Sequence, residues 1–183
     1  MPLQFNISQL LKGGVGEARS LEFQADSPLD LDGTAARDIH GEVRLTLTNF
    51  GVLARGEAAA TLDLTCSRCL EAFELTVAIS FEEEFQPSID ISSGLPSRVP
   101  RLEGSFPISS NHTIDLREPL RQQFLLAIDL IPVCDEACKG LCPTCGVNLN
   151  QQTCDCEPEP QDSPLAVLQT LLSQPDTGTE EKP

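Results

Sequence analysis

Eight cysteines stand in this 183-residue chain, and they are the residues whose type and spacing could do chemistry. Most of them fall in the single stretch from Cys134 to Cys156. Thiolates this close can share one tetrahedral ion, and Cys142-Pro143-Thr144-Cys145-Gly146 has the spacing of a zinc knuckle. In such a turn the backbone N–H groups after the first cysteine can bond its sulfur, and Gly146 suits the left-handed position that often follows. Cys134 and Cys138 flank the knuckle upstream, and Cys154 and Cys156 flank it downstream. A lone Cys-X-X-Cys is weak, but one with two further pairs in so short a stretch is specific for metal. The competing readings are a disulfide scaffold and inert buried thiols.

A fourth pair, Cys66-Ser67-Arg68-Cys69, sits between two β-patterned runs. It reads as half a metal site or as a structural thiol pair. A redox pair of the thioredoxin kind is expected at a helix N-terminus, where the dipole lowers the thiol pKa, and the β-pattern on both sides argues against it.

The elements that must position these thiols come from periodicity. Val43, Leu45 and Leu47 alternate with Glu42, Arg44, Thr46 and Thr48, which predicts a half-buried strand. Asn49-Phe50-Gly51 supplies a turn. Residues 58–66 return with Leu62 and Leu64 inward, and Leu75, Val77, Ile79 and Phe81 mark a third strand that ends in Glu82-Glu83-Glu84. Three such strands with short connections predict an antiparallel meander. Earlier strands are expected at 3–7 and 17–24, with a helical turn through Leu11 that Asn6 or Ser8 could cap, and a loop over 26–38.

Pro87, Pro96, Pro100 and Pro107 predict a long, partly disordered loop over 87–112. Leu116, Leu120, Phe124, Ile128 and Ile131 then recur at helical spacing, predicting an amphipathic helix over 116–130 with Pro119 in its first turn. Pro132 ends it and delivers the chain to Cys134. Beyond Cys156, Ser163 and Pro164 can open a short Leu-rich helix over 163–173, followed by a disordered end.

The fold class expected is therefore α+β. It is an antiparallel β-meander or small, partly closed barrel packed by one amphipathic helix, with a small Cys-rich zinc-binding appendage. Residues 1–130 form the β domain, 131–156 the zinc-knuckle segment and 157–183 an acidic tail.

The formal net charge is −16, with twelve Lys and Arg against 28 Asp and Glu, and it is densest over 57–86 and 131–183. Such a surface repels phosphate backbones and attracts basic proteins. Trp and Tyr are absent, so stacking platforms for single-stranded nucleic acid are scarce. The N-terminal run has no secretory pattern and no apolar run is long enough to span a bilayer, so a cytoplasmic, reducing setting is expected. No phosphate loop or catalytic triad spacing is visible, and His40 and His112 lie far from the cysteines in sequence.

Three stretches together carry a resemblance: the early strand with Ile7 to Leu11, the hairpin Cys66-Ser67-Arg68-Cys69-Leu70, and Cys138-Lys139-Gly140-Leu141-Cys142-Pro143-Thr144-Cys145-Gly146-Val147-Asn148-Leu149-Asn150. With them the chain resembles the YceD family, whose bacterial and plastid members are linked to accumulation of 23S ribosomal RNA. Asp162-Ser163-Pro164-Leu165 departs from the Asp-Pro-Arg that members often carry there. The resemblance covers Cys134, Cys138, Cys142 and Cys145, which makes them the first choice for one structural zinc. A second arrangement joins Cys142 and Cys145 to Cys154 and Cys156. A third brings Cys66 and Cys69 across the fold to complete a site or form another.

The resemblance implies a non-enzymatic factor in large-subunit biogenesis, and the charge favours docking on a basic ribosomal protein or pre-ribosomal particle over gripping RNA. The alternative is a zinc- or thiol-dependent enzyme, such as an oxidoreductase using Cys66 and Cys69. Four thiolates close a zinc ion to substrate, which argues for a structural ion. The surface such a staple displays would then include Lys139, Leu141, Val147, Asn148 and Leu149.

Overall fold

A computed structural model of the chain describes residues 3–25, 27–89 and 103–156. The chain divides after Cys138 into two compact units. The helix expected over 163–173 and the acidic tail lie outside the described residues.

The first unit is mostly sheet. Among the described residues its strands are β1 (Gln4–Asn6), β2 (Ala18–Gln24), β3 (Leu29–Leu31), β4 (Thr34–Leu47), β5 (Val52–Thr65), β6 (Ala72–Pro87), β7 (Phe106–Ile108) and β8 (Thr113–Asp115), with a 3-10 turn at Leu10–Lys12 and one α-helix, α1 (Arg117–Ala127). β1 and β8 pair antiparallel as a separate two-stranded sheet. The larger sheet runs β2-β4-β5-β6-β7, with β3 paired to β4.

The meander expected from alternation is present as β4, β5 and β6, all antiparallel. Val43, Leu45, Leu62 and Leu64 point into the core. The strands run longer than their alternation shows, because Gly56, Ala58, Ala59 and Ala60 carry too little side chain to display a period of two. Small residues are needed there. A Cβ on Gly41 would lie 2.9 Å from the Phe23 ring, and one on Gly56 would lie 2.9 Å from the Phe81 ring, so each ring covers a glycine on a neighbouring strand. Gly41 and Gly56 also press against the backbone beside them, with Cβ positions 2.2 Å from Glu57 O and 2.3 Å from Glu42 O.

Two departures change the topology. The loop expected over 26–38 contains a hairpin: β3 and β4 are joined by Asp32 and Gly33, both at positive φ (56° and 99°), as a two-residue primed turn requires. The Asp-Gly signal was present, but the flanking runs are too short to show alternation. The Pro-rich region also returns to the sheet, where β7 pairs parallel to β6. The sheet is thus mixed, with β2 and β7 as its outer strands, and it is not closed into a barrel.

The helix buries Leu116, Leu120 and Phe124 completely, packing against β6 and β3. Burial of each such side chain contributes on the order of 1.5–3 kcal/mol. Asp115, the residue before the N-cap Leu116, accepts from the Arg117 backbone N–H (3.0 Å). The helix ends earlier than its apolar spacing predicts: Ile128 is extended (φ −77°, ψ 127°), and Ile131 is 69% exposed instead of completing the stripe. From there the chain runs to the tip of the β5–β6 hairpin, where the Ser67 N–H donates to Pro132 O (2.8 Å). Among the described residues no helix is long and apolar enough to cross a membrane.

Candidate metal centres

The β5–β6 hairpin tip reverses through Cys66-Ser67-Arg68-Cys69-Leu70. The turn closes with Leu70 N–H donating to Cys66 O (2.9 Å) and Cys66 N–H donating to Glu71 O (2.9 Å). The Arg68 N–H approaches the Cys66 sulfur (3.4 Å), and Leu70 takes a left-handed φ of 61°.

In the second unit, Cys142-Pro143-Thr144-Cys145-Gly146 repeats this device position for position. Gly146 N–H donates to Cys142 O (2.9 Å), Cys142 N–H donates to Val147 O (2.8 Å), and Gly146 has φ 73°. Both Cys-X-X-Cys stretches are therefore knuckles. The second is braced by Leu149 N–H to Gly140 O (2.9 Å) and by Lys139 N–H to Asn150 Oδ1 (2.8 Å). Leu141, Val147, Asn148 and Leu149 are half-buried in this bracing, which makes them framework more than display.

The thiols collect into two sets of four: Cys66, Cys69, Cys134 and Cys138 in the first unit, and Cys142, Cys145, Cys154 and Cys156 in the second. Neither is the set Cys134, Cys138, Cys142 and Cys145. The upstream pair lies with the hairpin tip and the downstream pair with the second knuckle. The resemblance covers Cys134, Cys138, Cys142 and Cys145 together, and nothing in the spacing reveals that residues 65 apart meet, as the sulfurs of Cys69 and Cys134 do. His40 and His112 belong to neither set.

Within each set the sulfurs lie within 4.8 Å of one another. In the first, Cys66 Sγ is 3.9 Å from Cys138 Sγ and Cys69 Sγ is 3.7 Å from Cys134 Sγ. Disulfide sulfurs stand only about 2.05 Å apart. Four sulfurs about 2.3 Å from a tetrahedral zinc stand roughly 3.8 Å from one another. The donor set therefore fits zinc, and all eight cysteines are free of disulfides.

Electrostatics point the same way. Burial alone would raise the Cys66 thiol, yet the backbone N–H groups of Cys134, Cys69 and Arg68 outweigh it and hold the group down at about 6. At Cys142 the backbone N–H groups of Cys145 and Thr144 do the same against burial, again to about 6. Their neighbours move oppositely. Cys134 is pushed up to about 12 by its hydrogen bond with Cys66 and by burial, and Cys156 to about 12 by Cys145 and burial. Each set thus starts with one readily ionised sulfur, and a bound divalent cation would compensate the thiolates that follow. Arg68 locks the first set, donating from Nη1 to Glu136 O (2.9 Å) and Cys138 O (3.1 Å).

A mixed open sheet with one packed helix and two four-cysteine sets, each able to hold a metal ion, defines the class of protein. The family model described as large ribosomal RNA subunit accumulation protein YceD matches residues 54–172, and the chain belongs to that family. A large ribosomal RNA subunit accumulation protein YCED homolog 1, chloroplastic, of Arabidopsis thaliana is 41% identical over 61 residues, covering 33% of this chain and 19% of the relative. The maize protein of the same description is 44% identical over 51 residues, covering 27% and 17%. An uncharacterized protein of Mycobacterium tuberculosis is 32% identical over 110 residues, covering 59% and 50%. The chain spans half or less of the length of these curated relatives. No solved structure matches it.

Proposed function

We propose that this protein is a non-enzymatic, cytoplasmic factor in the accumulation of large-subunit ribosomal RNA, acting by docking on a basic ribosomal protein within a pre-ribosomal particle. Family membership supports the pathway. The observation that carries the non-enzymatic reading is the completeness of both thiol sets. Four cysteines per site would hold zinc with no position open to substrate or water, so the ion supplies cross-linking and not catalysis. The oxidoreductase alternative needs Cys66 and Cys69 as a free pair, and both sulfurs are gathered with those of Cys134 and Cys138.

The net charge of −16 supports a basic protein, not phosphate, as the docking partner. The test is affinity purification of the tagged full chain, with sequencing of co-purified RNA and proteins. Large-subunit precursor with its proteins is expected, and association that survives ribonuclease treatment supports the protein contact. Recovery of neither precursor nor large-subunit proteins would overturn the proposal.

A further inference from the structure

We propose that the hairpin tip at the first cysteine set is the docking surface, and that its occupant is a basic polypeptide segment carrying apolar side chains. The inference rests on the reading above for the kind of partner, and adds where it binds. Three large apolar side chains stand in solvent here: Leu70 is 64% exposed, Ile131 69%, and Leu130 fully. The Ser67 to Pro132 hydrogen bond (2.8 Å) and the sulfurs shared by Cys66, Cys69, Cys134 and Cys138 bring their two segments to one end of the sheet.

Leu70 is informative. A turn of this form asks for glycine, as Gly146 shows at the equivalent place, yet here a leucine is held at φ 61° with its side chain in water. Strain of this kind at a side chain left 64% exposed points to a use outside the chain.

The charge around the patch says what covers it. Glu71, Asp129 and Glu136 stand exposed in the same segments. Arg68 at the tip is committed to the carbonyls of Glu136 and Cys138. An apolar centre with an acidic rim attracts a segment whose apolar residues are flanked by Lys or Arg. It repels RNA phosphates, and it repels a second copy of this chain, which brings the same rim.

The experiment uses the full metal-loaded chain and, as probe, the proteins salt-extracted from purified large ribosomal subunits. The variants are Leu70→Ser with Leu130→Ser and Ile131→Ser, and separately the charge reversal Asp129→Arg with Glu136→Arg. All five positions are exposed, so folding and metal content should match wild type. Binding is expected to weaken at least about tenfold in the apolar variant and to fall in the reversed variant, with a salt dependence that wild type shows and the reversal lacks. A Glu42→Gln control on the outer sheet face should bind as wild type. If wild type binds an extracted protein and the apolar variant binds it within about twofold, the surface assignment is overturned while the docking reading stands. If wild type binds deproteinised ribosomal RNA and none of the proteins, the docking reading falls and this inference with it.

Discussion

At Leu70 the backbone is held at φ 61°, where an L side chain crowds its own carbonyl, while Gly146 meets the same demand at φ 73° with no Cβ to crowd. Nothing lies within 4 Å of a Cβ built on Gly146, so backbone strain alone sets the cost of filling that position. Gly146→Ala is therefore expected to destabilise the second knuckle by about 1 kcal/mol, and Leu70→Gly to cost nothing, measured by chemical denaturation of the metal-loaded protein. The grouping of thiols is also a residue-scale matter. Cys66→Ser with Cys69→Ser should remove one of two bound zinc ions, and Cys154→Ser with Cys156→Ser should remove the other, as read by metal analysis of purified protein. One ion shared by Cys134, Cys138, Cys142 and Cys145 would leave both double variants fully loaded. The turn chemistry was legible from Cys-X-X-Cys-Gly. The partnership of Cys66 with Cys138 was not, because it depends on where β5 and the end of α1 place sulfurs 72 residues apart.

Among the elements, β4, β5 and β6 were legible where Val43, Leu45 and Leu62 alternate with polar residues, and illegible where alanine and glycine let rings lie flat. Nothing in Phe106-Pro107-Ile108 shows that it pairs parallel with β6, since a three-residue run has no measurable period. The helix was legible through Leu116, Leu120 and Phe124, and its end was not, because the chain turns extended at Ile128 and goes on to bond Ser67 through Pro132 O, contacts that the apolar spacing does not encode. Its first turn carries a charge prediction. Hydrogen bonds from Arg121 and Gln122 hold the Glu118 carboxyl down at about 2, against an ordinary value of 4.5. A lowered carboxyl contributes stability above its ordinary value and loses it as pH falls toward the lowered one. The stability gap between wild type and Glu118→Gln should therefore be full at neutral pH and shrink between pH 4.5 and about 2, by denaturant midpoints across that range. It should be small throughout, because the Arg121–Glu118 pair is largely solvated.

For the molecule as a whole, the two units differ in what holds them. The first owns the hydrophobic core, with Phe85, Phe124, Leu45 and Leu62 among its fully buried side chains. Among the described residues of the second, the buried side chain of the hydrophobic class is Cys142. A segment that buries as little apolar surface as residues 139–156 depends on its ligands to fold. Chelation should thus release fast hydrogen exchange across 139–156 while amides of β4 and β5 stay protected, and restoring zinc should reverse it.

The distance along the chain between ligands sets a timetable. The second set lies in one short stretch, so it can close around an ion as soon as that stretch exists. The first needs the hairpin tip and a segment 65 to 72 residues away to meet, and long loops close slowly and at higher entropic cost. An ion offered to a newly made chain should therefore be captured first by the local set, as metal loading of nascent chains of increasing length would show. Filling of the distant set would require β5, β6 and α1 to have already taken their places, so metal at the first site would report a folded first unit.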